Sequence, residues 1–199
     1  MTGRKTRCIS PEAFAYDGCP SRLCHTGFTF VAGRVDLQEK LLHTPNPEFL
    51  RRAVALATEN VRSGKGGPFA AVIVRDGRIV GEGVNTVTAT NDPTAHGEVN
   101  AIRAACCALG AFTLAGCTLY TSCEPCPMCL AAAYWARIEA IFYGSSAADA
   151  ARAGFDDAFL YEEFRKEQAA RALPVSQLLR DEAWASLEAW IDSPNKIEY

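Results

Sequence analysis

His96, Glu98, Cys126 and Cys129 are the residues of this chain whose types and spacing could do chemistry. One imidazole and two thiols form a soft, three-donor set, which suits zinc better than magnesium or calcium with their preference for oxygen. Cys126 and Cys129 stand three apart, so on a helix both sulfurs share a face and can meet one ion. Pro127 fits the first helical position and makes Cys126 the expected N-cap. A thiol there meets free N–H groups and the positive end of the helix dipole, which favour thiolate. Three protein ligands leave a fourth zinc position for water, which points to hydrolysis rather than to a structural metal. Glu98 is two residues from His96, so on a helix the two side chains diverge. The histidine can bind metal while the carboxylate faces water and substrate and moves protons. A lone H-x-E means little, and a lone C-x-x-C can be buried packing; the signal is their joint occurrence in this order, with a proline before the first cysteine. Cys123 is also three residues from Cys126, but it follows a short strand and lacks a helix-face partner, so it reads as a small packed residue.

The elements that must hold these groups alternate between helix and strand. Asn46 and Pro47 suit the N-cap and first position of a helix, Leu50, Ala53, Val54, Ala57 and Val61 recur at helical spacing, and Gly64 stops it. Phe69 to Val74 reads as a buried strand, Asp76-Gly77 as a hairpin turn, and Arg78 to Val87 as the returning strand. A helix is expected from Asp92-Pro93-Thr94 to about Leu109, a strand at Thr118–Thr121, a helix from Pro127 to near Ala136, and a strand at Ala140–Tyr143. Helical stretches near Phe159–Arg171 and Asp181–Ile191 flank a candidate strand at Leu173–Leu178. This order implies an α/β layered domain with a mixed sheet of about five strands over residues 46–199. Residues 1–45 read as a loosely ordered extension, broken by Pro11, Gly18, Pro20, Gly27 and Gly33. Cys8, Cys19, Cys24 and His25 lie within it, with only Cys24-His25 resembling ligand material.

Composition narrows the class. The 199 residues are 49% hydrophobic and 22% charged, as in an ordinary globular protein. No apolar run reaches the roughly 18 residues of a membrane helix, and no apolar stretch follows the basic N-terminal residues as an export signal would require. The nine cysteines are an odd number, which suits reduced thiols and metal ligands in the cytoplasm. A net charge of −3 disfavours a large nucleic-acid partner.

The pattern His96-x-Glu98…Pro125-Cys126-x-x-Cys129 is that of the zinc-dependent nucleobase deaminases. Gly66–Phe69 (Gly-Gly-Pro-Phe), Ala71–Val74, Asn91–His96 (Asn-Asp-Pro-Thr-Ala-His), Thr121–Cys129, Tyr134–Arg137 and Gly154–Asp157 (Gly-Phe-Asp-Asp) together resemble the bacterial-type guanine deaminases of the cytidine deaminase-like superfamily. The ending Asn195–Tyr199 resembles theirs too, and the likeness runs over about residues 47–199. It implies a three-layer α/β/α fold, a Zn2+ ion, and hydrolytic deamination of guanine to xanthine and ammonia, with Glu98 as proton shuttle. It implies that Asn85 hydrogen-bonds the purine, that Phe69 and Trp135 form an apolar wall, and that Asp157 accepts from purine N–H groups. Tyr199 would close the pocket, with the C-terminal segment covering the active site of the partner in a homodimer. By residue type alone Asn85 is equally a turn residue, Phe69 and Trp135 equally core, and Asp156-Asp157 a solvated loop pair. Gly97 stands where such proteins usually have Ala, and Ala70 where they often have Gly, so a slightly looser site is expected. The extension at residues 1–45 has no counterpart in the pattern. Guanosine, a triazine or adenosine in tRNA are the rival substrates, and a catalytically silent zinc scaffold is the rival outside enzymes. Glu162, Glu163, Glu167, Asp181, Glu182 and Glu188 suit a small substrate better than RNA.

Overall fold

The computed structural model of the chain describes residues 44–199. The expected extension at 1–45, with Cys8, Cys19, Cys24 and His25, lies outside the described residues apart from Thr44 and Pro45. Helix α1 (Pro47–Arg62) begins as its sequence predicts, with Asn46 Oδ1 accepting from the Glu48 N–H at 3.0 Å and Pro47 at the first position. Strand β1 (Ala70–Arg75) follows and is buried along most of its length. Successive strand side chains alternate in direction, so Ala71 and Ile73 enter one core while Val72 and Val74 enter another. A strand apolar on both faces needs cover on both. Phe49, Leu50 and Leu56 of α1 cover the Val72–Val74 face.

Asp76 and Gly77 both have positive φ, as a tight hairpin turn requires, and lead into β2 (Arg78–Val84). The pairing slips between Ile73, opposite Gly81, and Val74, opposite Ile79, leaving Val80 as a bulge. After the single turn α2 (Val87–Thr90), helix α3 (Gly97–Leu109) crosses the second face, where Ala101 and Ala105 pack on Ala71 and Ile73. Close approach here depends on Gly83: a Cβ would sit 2.2 Å from Ala101 N and 2.3 Å from Gly97 O. β3 (Cys117–Cys123) pairs antiparallel with β1, helix α4 (Pro127–Trp135) crosses over, and β4 (Ala140–Ser145) pairs parallel with β3. The sheet order is β2-β1-β3-β4, a mixed sheet with α1 on one face and α3 on the other. Three short helices complete the described chain: α5 (Ala147–Arg152), α6 (Asp157–Arg165) and α7 (Arg180–Ile191).

The three-layer α/β fold is as expected, with four strands where about five were read. Residues 173–178 form no strand; Pro174 has no N–H for a ladder, and Leu173 and Leu178 are exposed. β2 ends at Val84 instead of Val87, because the Asn85 N–H turns to Phe69 O and the Thr86 N–H to Ala95 O. α3 starts at Gly97 instead of Asp92: Asp92 Oδ1 accepts from the Thr94 N–H at 2.8 Å, closing a side-chain turn that competes with helix. α6 stops at Arg165, followed by a 3-10 turn at Gln168–Ala170 rather than a helix to Arg171. Among the described residues no helix is long and apolar enough to cross a membrane.

Candidate active site

Two helix N-termini meet at the metal-ligand residues. His96 is the N-cap of α3, extended in backbone and making no capping hydrogen bond with its ring, so the imidazole is available to an ion. Cys126 is the N-cap of α4, with Pro127 behind it, and Cys129 lies in the first turn. His96 Nδ1 is 3.6 Å from Cys126 Sγ and 3.5 Å from Cys129 Sγ. Ligand atoms of all three residues lie within 4.8 Å of one another, a span one tetrahedral ion can bridge. The fit extends to electrostatics. The hydrogen bond from Cys129, with His96 beside it, pushes the Cys126 thiol down to about 4. The same pairing, then burial and Glu98, raise Cys129. A lowered Cys126 thiol suits a thiolate ligand, and a divalent cation would displace the proton of the second sulfur.

Glu98 occupies the first turn of α3 and is only 5% exposed. Thr121 Oγ1 donates to Glu98 Oε1 at 3.3 Å, and Oε2 lies 3.4 Å from Cys129 Sγ. Burial raises this carboxyl above the usual carboxylate range. His96 itself is raised by its hydrogen bond with Cys126, against the opposing effect of burial. His96 is a cap rather than a helical residue, so it and Glu98 diverge by backbone conformation and not by helical spacing as expected.

His96, Glu98 and Cys126 line a pocket of about 270 Å³. Phe69, Asn85, Val87, Thr88, Glu124, Phe155 and Asp157 line the rest of it. The structure thus brings together His96, Glu98, Cys126, Asn85, Phe69 and Asp157 from the sequence reading. Cys129 is fully buried behind them. Asn85 Oδ1 accepts from the Val87 N–H at 3.3 Å, which leaves its amide NH2 as the group offered to a ligand. Asp157, partly buried, has its carboxyl raised by desolvation. Trp135 and Tyr199 are not brought to this pocket. They face one another at 6.2 Å between ring centroids, 65% and 77% exposed. A larger groove, about 350 Å³, lies between the start of α1 and the β4 edge; no carboxylate, thiol or imidazole lines it.

Cys123 stays apart from the ligand atoms. Its sulfur is 3.6 Å from Ser146 O, and burial pushes its thiol up to about 11. Four pocket residues carried no sequence signal strong enough to name them. Glu124 sits between Cys123 and Cys126, its Oε2 accepting from the Ala147 N–H at 2.9 Å. Phe155 packs edge-on against Phe69 with centroids 4.6 Å apart, and α2 supplies Val87 and Thr88. Phe155 was visible only as part of Gly154–Asp157, and Glu124 only as an acid inside the cysteine loop.

Gly97 does not loosen the site. A Cβ on it would fall 2.8 Å from Ala70 Cα and 3.1 Å from Phe69 O, so glycine lets α3 lie directly on the start of β1. That contact seats His96 and Glu98 beside Phe69.

Residues 44–145 match the family described as cytidine and deoxycytidylate deaminase zinc-binding region. The guanine deaminase of Bacillus subtilis (strain 168) is 57% identical over 151 residues, 76% of this chain and 97% of that protein. A solved X-ray structure of guanine deaminase from Bacillus subtilis superposes with a TM-score of 0.75 at 55% identity, over 78% of this chain and 99% of that one. A tRNA-specific adenosine deaminase of Agrobacterium fabrum is 47% identical, but over 39% of this chain and 51% of its own length.

Proposed function

We propose that this chain, which belongs to the guanine deaminases within the cytidine and deoxycytidylate deaminase zinc-binding family, hydrolyses guanine to xanthine and ammonia. The observation that carries this reading is the pocket itself, where a three-donor metal cluster and a buried carboxylate adjoin one hydrogen-bond donor and one acceptor. His96, Cys126 and Cys129 hold the zinc. Zinc bound there acts as a Lewis acid that lowers the pKa of a water towards neutrality. Water adds at C2 of the purine, and the C2–N bond to the exocyclic amine breaks. Glu98 takes the first proton of the attacking water and delivers it to the ring nitrogen, then carries the proton of the hydroxyl now on C2 to the departing amine as the C2–N bond breaks. Thr121 steadies one oxygen of Glu98, leaving the other for proton transfer. Guanine offers N–H donors on one edge and carbonyl and ring-nitrogen acceptors on the other. Asp157 accepts from the former and Asn85 donates to the latter, while Phe69 and Phe155 pack on the ring. The partial coverage of the tRNA deaminase likeness favours a free small molecule over RNA.

The assay is ammonia release by the zinc-loaded protein from guanine, guanosine, adenine and cytosine. Guanine should exceed adenine and cytosine by at least about 100-fold in kcat/KM, because a site built to hydrogen-bond one edge rejects rings lacking it. No ammonia from guanine would overturn the reading.

The working unit is a homodimer in which Tyr199 and the C-terminal segment serve the partner's site. α7 buries none of its residues, and Trp184, Leu187, Trp190 and Ile191 are all exposed, as are Trp135 and Tyr199. So many exposed large apolar side chains call for a covering surface. In solution the mass should be twice 21.5 kDa. Mixing a Glu98→Ala chain with a Tyr199→Ala chain should restore activity, since a mixed dimer then contains one complete site. A monomer, or no restoration in a mixed dimer, removes this part. The described cysteines form no disulfide, in keeping with a reducing cytoplasm. Residues 1–45 are an appendage to the catalytic domain at 46–199.

A further inference from the structure

We infer that Asn60, a residue of α1 outside the pocket, is a positioning residue for purine recognition that acts through Asn85; the inference rests on the reading of Asn85 given above. Asn60 is 3% exposed, in a helix whose other buried residues are alanines. Asparagine is a poor helix former, and its buried amide must be satisfied. It is satisfied by the pocket wall. Asn60 Nδ2 donates to Asn85 O at 2.8 Å and to Gly67 O at 2.9 Å. Gly67 and Asn85 both line the pocket.

The remaining groups of Asn85 are held as well. Its N–H donates to Phe69 O at 2.8 Å, and its Oδ1 accepts from the Val87 N–H. From the opposite side Asn100 Nδ2 donates to Val84 O at 2.9 Å, fixing the preceding peptide. Asn60 is the group from α1 that completes this arrangement, gripping Asn85 at its carbonyl. The amide NH2 of Asn85 is thereby aimed before substrate arrives, which is preorganisation by a residue that never touches the ligand. Asn60→Asp keeps the shape but removes both donors and sets a carboxylate against two carbonyls. Asn85 then loses the hold on its carbonyl and keeps only the contacts at its N–H and Oδ1.

The test is steady-state ammonia release from guanine by zinc-loaded wild type, Asn60→Asp, Asn60→Ala, Asn85→Ala and Asn60→Asp/Asn85→Ala, with zinc content and melting temperature measured alongside. In Asn60→Asp, KM should rise about tenfold with kcat changed by less than about threefold and zinc unchanged. A purely structural role would lower the melting temperature and leave KM alone. The double variant should have a KM within about twofold of Asn85→Ala, because both changes remove one interaction. A folded Asn60→Asp with wild-type KM, or effects that multiply in the double variant, overturns the inference. If Asn60→Asp does not fold, Asn60→Ala decides by the same criterion. Asn85→Ala with wild-type KM would remove the Asn85 reading and the inference with it. An impaired Asn85→Ala beside unimpaired Asn60 variants overturns the inference alone.

Discussion

Glu98→Gln should bind its zinc, fold normally and deaminate guanine about 10³–10⁴-fold more slowly than the wild type, the range expected when a general acid–base is removed. The amide is isosteric with the carboxyl, so the packing around residue 98 survives. Thr121 Oγ1 can still donate to the Oε1 position, 3.3 Å away in the wild type. What is lost is the exchangeable proton. Burial raises the Glu98 carboxyl above its ordinary range, which makes its protonated form more accessible, as a group that both takes up and gives back a proton requires. Glutamine can do neither. Zinc content by atomic absorption separates the two roles proposed for the α3 start, metal binding at His96 and proton transfer at Glu98. A Glu98→Gln enzyme with wild-type turnover would take Glu98 out of the mechanism. One that lost its zinc would make Glu98 part of the metal shell.

Cys129→Ser and Cys123→Ser should differ completely. Cys129→Ser should emerge with little zinc and less than about 1% of wild-type activity, because a neutral hydroxyl is a poor substitute for a thiolate at a soft site. Cys123→Ser should keep about one zinc per chain and most of its activity, since only three of the ligands of a catalytic zinc come from protein. The physical contrast is in the surroundings. Cys129 is fully buried within reach of His96 Nδ1, whereas Cys123 points towards Ser146 O with its thiol held near 11. Treating the wild type with a strong chelator should reproduce the Cys129→Ser phenotype, and added zinc should reverse it. Loss of zinc from Cys123→Ser with retention in Cys129→Ser would exchange the two assignments.

Much of the frame was legible in local patterns. The N-cap at Asn46, the Asp76-Gly77 turn and the helix start at Pro127 each depend on a few adjacent residues, and each forms as read. The misread boundaries share a cause: side chains or backbone groups found partners the pattern does not encode. Asp92 closed a turn on Thr94, so α3 started five residues later than expected. Thr86 bonded to Ala95, so β2 ended early. At residues 173–178 the apolar run was real, but Pro174 interrupts it and no neighbouring strand takes it up.

By itself the sequence determined the kind of reaction. His96, Glu98, Cys126 and Cys129 are sparse, chemically specific residues at or beside helix N-termini, where a few adjacent residues set the local geometry. Tertiary structure decided which residues share the pocket with them. Asn85, Glu124 and Phe155 reach one pocket because β1 lies between β2 and β3 and the α5–α6 connection folds back on Phe69. Trp135 and Tyr199, as specific in type as any of these, stay outside it and pair with one another, both exposed among the described residues. Residue type limits what a side chain can do. The sheet order and the contacts across it determine what it can do it to, and those arise from packing between segments tens of residues apart.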